Sequence, residues 1–349
     1  MFGKDFLKEI SLSELLLLFS RVTEQLLEAK INEDEAAAKV ANCTHVIGCT
    51  ATGIFTDEDW VMDSPAAAAM VFSENVLTHV NNQEATQKDK PSYHLTLTAP
   101  NAIDTRWLQN KNQRFGGVSG DVLGRGAFSV WQNAKATTQG YIEFSTNQLN
   151  CAVAATHGLK LISQPRRVTA SQQNDVISLA NMAAFEHLQK TWQKQSQSHD
   201  DLPYHQLMAV YANKAIDITR GHYLVASLVT GNPFDHSVTL STNINNGQWL
   251  SWAIRDAHAA QIGIVKTASD LSLQLKEEPQ FALLFSSLNR GPYLYNGLDL
   301  DLGLLKTIYP KLPIIGFYGN GQIAPIHQQN QLLQYSAVLG LFNHTKVDA

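Results

Sequence analysis

Short apolar runs separated by polar turns dominate this chain, and helical spacing is the exception. Leu15–Phe19 is a continuous apolar run with a strand's length, although leucine lacks the β-branch that favours strands. Residues 21–30 and 33–40 read as helices. The second follows Asn32 as N-cap, with Glu33, Asp34 and Glu35 at the positive end of its dipole. Strands are expected at 44–49, 67–73, 93–98, 127–132, 140–145 and 151–155. Polar residues 81–91 form a surface loop, and glycine-rich residues 115–121 and 123–126 form turns. Met182, Phe185, Leu188 and Trp192 recur at helical spacing and predict an amphipathic helix over 174–194. Further strands are expected at 223–229, 249–254, 280–285, 313–317 and 332–342. Helices are expected at 257–276 and on the face Leu302, Leu305, Ile308, which stops at Pro310.

Many strands with helices in no strict alternation predict an α+β fold of two mixed β-sheet-rich domains with flanking helices. The polar stretch 193–201, closed by Pro203, is the natural boundary, giving domains 1–195 and 196–349.

Composition narrows the partners. Charged residues make up 16% of the 349, against ~25% in ordinary chains, and 48 Asn and Gln side chains supply much of the polarity instead. Net charge is −5 and no Lys/Arg run exists, so the counterion-release term behind nucleic-acid binding has nothing to act through. The longest apolar stretch, Ala66–Phe72, is far too short to cross ~30 Å of hydrocarbon, so no membrane partner is expected. Three cysteines (Cys43, Cys49, Cys151) make no disulfide framework, and no export signal is visible; a cytoplasmic location is expected.

The familiar catalytic motifs are absent: no P-loop, no G-x-S-x-G, no H-E-x-x-H and no paired C-x-x-C. Gly319-Asn-Gly321-Gln-Ile-Ala324 has a dinucleotide-like spacing. Pro325, however, stands where the phosphate-binding helix should begin, and no acid follows ~20 residues on to take a ribose. The glycines fit either a turn whose N–H groups hold an anion or a tight turn under a packed sheet. His199, Asp200, Asp201 and His205 fall in or beside the linker, where a solvated stretch is the better reading than a metal site. No metal and no cofactor are expected. Arg255 and Arg290 each follow an apolar strand, where a guanidinium can grip a carboxylate in two parallel hydrogen bonds. The alternative is an internal ion pair with Asp256 or Asp299.

Three C-terminal segments closely resemble the C-terminal half of FIST (F-box and intracellular signal transduction) proteins. They are Phe281-Ala-Leu-Leu-Phe-Ser-Ser-Leu-Asn-Arg-Gly-Pro-Tyr-Leu-Tyr295, Leu312-Pro-Ile-Ile-Gly-Phe-Tyr-Gly-Asn-Gly-Gln-Ile-Ala-Pro325 and Leu333–Leu339. Val46-Ile-Gly-Cys-Thr-Ala-Thr-Gly53, Gly116-Gly-Val-Ser-Gly120 and residues 158–169 resemble the N-terminal half. The resemblance implies an intracellular sensory module for a small ligand, an amino acid or related carboxylate, without a known reaction and with a downstream signalling protein as partner. The site, expected between the halves, would use Arg290 and Arg255 for a carboxylate and the backbone N–H groups of Gly319–Gly321, with Gly291 next to Arg290 also in it. Asn320 and Gln322 would read polar groups, and Tyr293 and Tyr318 would form walls. Two positions depart from the family pattern: Ser287 replaces a cysteine, and Gln322 replaces a glutamate, so an amide stands where a charge is usual. Two other classes remain open. One is a hydrolase or transferase using Ser119, Ser287 or Cys49; the other is a ligand-free interaction module.

Overall fold

The computed structural model describes residues 15–21, 45–72, 77–79, 93–103, 112–120, 129–133, 135–146, 149–196 and 202–344. The helix expected at 21–30 lies outside these residues except for Arg21, which ends a strand instead; the helix at 33–40, the turn at 123–126, the loop at 81–91 and His199–Asp201 also lie outside them. The fold is α+β, and the chain divides into two compact units: 1–155 with 264–349, and 156–263.

The first unit contains three mixed sheets. One has Leu15–Arg21 between Val46–Thr50 and Ala66–Phe72; a second has Gln113–Val118 between Tyr93–Thr98 and Gly321–Ile326. The third runs from Leu149–His157 through Ser336–His344, Phe281–Ser287, Ile314–Gly319 and Gly53–Thr56 to Trp60–Val61. Leu15–Arg21 runs parallel to Val46–Thr50, Tyr93–Thr98 to Gln113–Val118, and Phe281–Ser287 to Ile314–Gly319.

Phenylalanines from all three sheets meet in one interior. Phe19 lies 4.9 Å from Phe317, Phe285 5.3 Å from Phe317, and Phe115 6.2 Å from Phe285, ring centre to ring centre. Each is essentially inaccessible to solvent. Tilted and edge-on rings at these separations add attraction to the burial of the apolar area itself. Because successive strand residues point to opposite faces, Ala282, Leu284 and Ile314 turn away from the phenylalanines. They pack with Ile264, Ala268 and Leu271 of the Ala257–Leu275 helix and with Leu302 and Leu305 of the Leu300–Ile308 helix.

The second unit is a closed antiparallel barrel. Trp249–Arg255 pairs with Arg166–Gln172 and Leu159–Leu161 along one edge and with Leu207–Ala212 along the other. The circuit is completed through Asp175–Leu179, Val238–Leu240 and Leu224–Gly231. Val168, Val176, Leu207, Ala226, Leu240 and Trp252 fill it, and the Ala184–Ser196 helix adds Phe185, Leu188 and Trp192. Strands from both sides of residue 195 thus share one barrel, so the compact units do not follow the sequential 1–195 and 196–349 division.

Three expected elements change. The helix predicted from 174 begins at Ala184, because Val176 and its neighbours pair as a strand with 166–172 across a turn with Gln173 at φ 51°. Phe115–Gly117, expected as a turn, is strand: a Cβ on Gly116 would stand 1.9 Å from the Thr96 carbonyl oxygen, so only glycine admits the neighbouring strand. The final strand is two, Gln329–Leu333 and Ser336–His344, parted at Tyr335 with φ 55°. Among the described residues no helix is long and apolar enough to cross a membrane.

Candidate functional site

The glycine turn carries the chain from one sheet into another. Ile314–Gly319 belongs to the sheet of Phe281–Ser287, whereas Gly321–Ile326 pairs with Gln113–Val118. Pro325 lies in this second strand opposite Asn330, so no phosphate-binding helix follows the glycines. A Cβ on Gly319 would lie 2.3 Å from the Val118 carbonyl oxygen, which accounts for that glycine as a close approach of two backbones. Asn320 is exposed. Its N–H donates to Val118 O (3.2 Å) and its side-chain amide to Ser119 O (3.1 Å).

Arg290 is buried, and its carboxylate partner is internal. Nε donates to Asp301 Oδ2 (2.5 Å), Nη2 to Oδ1 (3.4 Å), and the Tyr295 hydroxyl also donates to Oδ1 (2.6 Å). The pair is made with Asp301, not with Asp256 or Asp299. Burial works to lower the guanidinium pKa, but Asp301, helped by Tyr295 and Asp299, outweighs it and leaves the group raised. Asp299 has another task. It caps the Leu300–Ile308 helix by accepting from Leu302 N (3.0 Å), and it accepts the Tyr318 hydroxyl proton. Burial raises the carboxyl pKa of Asp299, and burial followed by Asp299 raises that of Tyr318. Tyr318 is completely buried; a Cβ on Gly291 would lie 2.3 Å from its ring. Arg290, Gly291 and Tyr318 therefore form a packed frame. Tyr293 is 67% exposed and lies near enough to Arg21 to act on it electrostatically. Arg255 lies in the barrel unit, half-buried at the end of Trp249–Arg255 and opposite Leu159.

Gln322 faces the interior. It is opposite Gly117, whose missing Cβ would fall 2.6 Å from Phe317, so the two share the phenylalanine side of their sheet. Its Oε1 accepts from Ser336 Oγ (3.1 Å), and its Nε2 has no partner among the described residues. Ser119 directly follows the end of the Gln113–Val118 strand. It is fully buried, and its hydroxyl also has no partner among the described residues. Ser287 is buried, its Oγ accepting from Asn289 N at 3.3 Å.

The cation that joins this cluster is one the sequence reading passed over. Arg21 ends the Leu15–Arg21 strand, two residues after Phe19 and on its face, and is only 4% exposed. Nε donates to Thr52 O (2.9 Å), while Nη1 has no partner among the described residues. Burial lowers its pKa, with Asp63 and Tyr293 near enough to oppose that shift. Thr52 sits between the neighbouring strand ends. Its N–H donates to Tyr318 O (3.1 Å), and a Cβ on Gly120 would lie 2.4 Å from its Oγ1. The available signal was an arginine closing an apolar run, the same pattern that singled out Arg255 and Arg290.

Arg21, Thr52, Ser119, Asn320 and Gln322 thus come together at one end of three sheets, within one unit. Buried polar groups ordinarily find partners, and unpaired ones are costly. A guanidinium nitrogen, an amide nitrogen and a hydroxyl left over at these strand ends are groups able to bind a small polar molecule.

Relatives agree in extent. An uncharacterized protein of Mycobacterium bovis, Mb0898c, is 22% identical over 318 residues, covering 85% of this chain and 82% of its own. An uncharacterized protein of Mycobacterium tuberculosis, Rv0628c, is 21% identical over 321 residues, covering 85% and 83%. The FIST N domain matches residues 14–182 and the FIST C domain residues 184–325, so both contribute strand ends to the cluster. The chain belongs to the FIST family, whose domains are signal-transduction sensory domains.

Proposed function

We propose that the chain is a cytoplasmic, non-enzymatic sensory protein that binds a small carboxylate-bearing metabolite at the strand-end cluster and signals to a partner protein. One observation carries the reading: Arg21 is a buried guanidinium whose Nη1 lacks a partner among the described residues, as does the Ser119 hydroxyl at the strand ends that meet at Thr52. A carboxylate is the group that satisfies such a cation best. In this reading Arg21 holds the carboxylate, Asn320 and Gln322 read the rest of the ligand, and Gly319 and Gly321 let the backbones approach. Arg290, Gly291 and Tyr318 keep the frame rigid. The non-enzymatic part is supported by two of the three candidate nucleophiles: the Ser119 hydroxyl has no partner among the described residues, and that of Ser287 accepts from the Asn289 backbone.

The test is a thermal-shift and calorimetric screen against amino acids, oxo acids and dicarboxylates at millimolar concentration. Ligand at a hundred times Kd adds about 2.7 kcal/mol of stability, an effect that is easily seen. Arg21→Met should abolish the shift while the protein stays folded. A wild-type protein with no response to any carboxylate refutes the proposal.

A further inference from the structure

We infer that the site selects a carboxylate whose second polar group is a hydrogen-bond acceptor, such as a keto oxygen or a second carboxylate, over the corresponding amino acid. This rests on reading the Arg21 cluster as the ligand site. The unpartnered atoms there are Arg21 Nη1, Gln322 Nε2 and Ser119 Oγ. The first two are donors only, and the hydroxyl can serve in either role. Ser336 donates its proton to Gln322 Oε1, which leaves the Nε2 hydrogens for the interior.

Register places the groups. Gln322 pairs with Gly117 near the end of the Gln113–Val118 strand, and Ser119 directly follows that strand's last residue, its N–H donating to Thr98 O at 2.8 Å. Arg21 and Ser119 are tied to the same neighbours: Arg21 bonds Thr52 O, and Gly120, next to Ser119, packs on Thr52 Oγ1.

Charge decides between the two ligand classes. No carboxylate bonds any of these three side chains among the described residues; Asp63 acts on Arg21 only at longer range. An ammonium brought here would face a guanidinium in a poorly screened interior, and it would leave the Gln322 donors unsatisfied. A keto or carboxylate oxygen meets both demands. Position 322 is therefore the specificity-determining residue, because glutamate there would convert a donor into a charged acceptor.

Matched pairs test this: pyruvate against L-alanine and 2-oxoglutarate against L-glutamate, each titrated by calorimetry. The wild-type protein should bind the oxo acid of at least one pair roughly tenfold or more tighter than its amino acid, the discrimination expected when buried donors lose their acceptor. Gln322→Glu should reverse the order. Gln322→Met, which keeps the volume and removes the donors, should erase the discrimination while binding of the carboxylate survives; it also covers the case where the glutamate variant fails to fold. Equal or tighter binding of the amino acids by the wild type would overturn the inference and leave the sensory reading intact. No binding of any of the four compounds, with no response in the wider screen, would instead overturn the sensory reading itself.

Discussion

Replacing Arg290 separates the frame from the ligand site. In Arg290→Met the guanidinium goes and Asp301 stays, 1% exposed, with the Tyr295 hydroxyl still donating to it at 2.6 Å. One neutral hydrogen bond does not compensate a buried charge. Breaking such a pair by removing one partner costs about 3–5 kcal/mol, a large share of the ~5–15 kcal/mol that holds a typical protein folded. For a unit of this size that corresponds to a fall of roughly 6–20 °C in Tm. Removing both charges acts differently, because the cost of desolvating them disappears too. Arg290→Met/Asp301→Leu should therefore regain most of the loss.

The measurement is urea unfolding followed by tryptophan fluorescence for the wild type, both single variants and the double, closing a double-mutant cycle. A loss below about 1 kcal/mol in Arg290→Met would refute the ion-pair reasoning, as would a double variant no better than the single. Carboxylate binding supplies the second readout. Under conditions where Arg290→Met remains folded its affinity should stay within a few-fold of wild type, because Asp301 already occupies Arg290. Loss of binding at full foldedness would return Arg290 to the ligand.

Three other outcomes are expected. Gly319→Ala should cost about 3 kcal/mol or prevent folding, since its Cβ would meet the Val118 carbonyl at 2.3 Å; Gly303→Ala, in a helix with nothing within 4 Å, should stabilise by about 0.5–1 kcal/mol, and urea unfolding compares them. Barrel stability should fall as pH drops below about 6.5: burial, then Arg166 and Lys190, lowers the His187 pKa, and its neutral Nδ1 accepts from Trp252 Nε1 at 2.9 Å. The unfolded chain takes up the proton first, so the stability is complete above that pH and is lost below it. His187→Asn should flatten this dependence. In a Cys43→Ser background, native thiol labelling at pH 8 should be slow, because Cys49 is fully buried and burial pushes Cys151 up to about 11; fast stoichiometric alkylation before unfolding would contradict it.

Legibility varied with how local the signal was. Phe281–Ser287, Ile314–Gly319 and Trp249–Arg255 were readable because each is a run of buried residues with a clear end. Gln113–Val118 was hidden by its own glycines. Gly116 and Gly117 look like a turn, yet each is required by what lies across from it, the Thr96 carbonyl and the Phe317 ring. Residues 175–183 carried a helical stripe only because Met182 happens to keep phase with Phe185. The cluster itself was half legible: Asn320 and Gln322 were named from the glycine turn, while Arg21 was assigned to a helix start. An arginine's partner is set by the folded contacts, and neither Asp301, 11 residues from Arg290, nor Thr52, 31 residues from Arg21, has a spacing that announces it.

The strand ends also explain why positions 287 and 322 can vary without loss of the fold. The frame around the cluster is made largely by backbone: Thr52 N to Tyr318 O, Gly120 N to Thr50 O, Asn320 N to Val118 O and Ser119 N to Thr98 O. These bonds join all three sheets and involve no side-chain chemistry, so they persist whatever residue stands at 322. Glycine at 120 and 319 lets the strands close to these distances, and the phenylalanines behind them supply the burial. Side chains at these strand ends can therefore change, an amide for an acid at 322 or a hydroxyl for a thiol at 287, and leave that backbone in place.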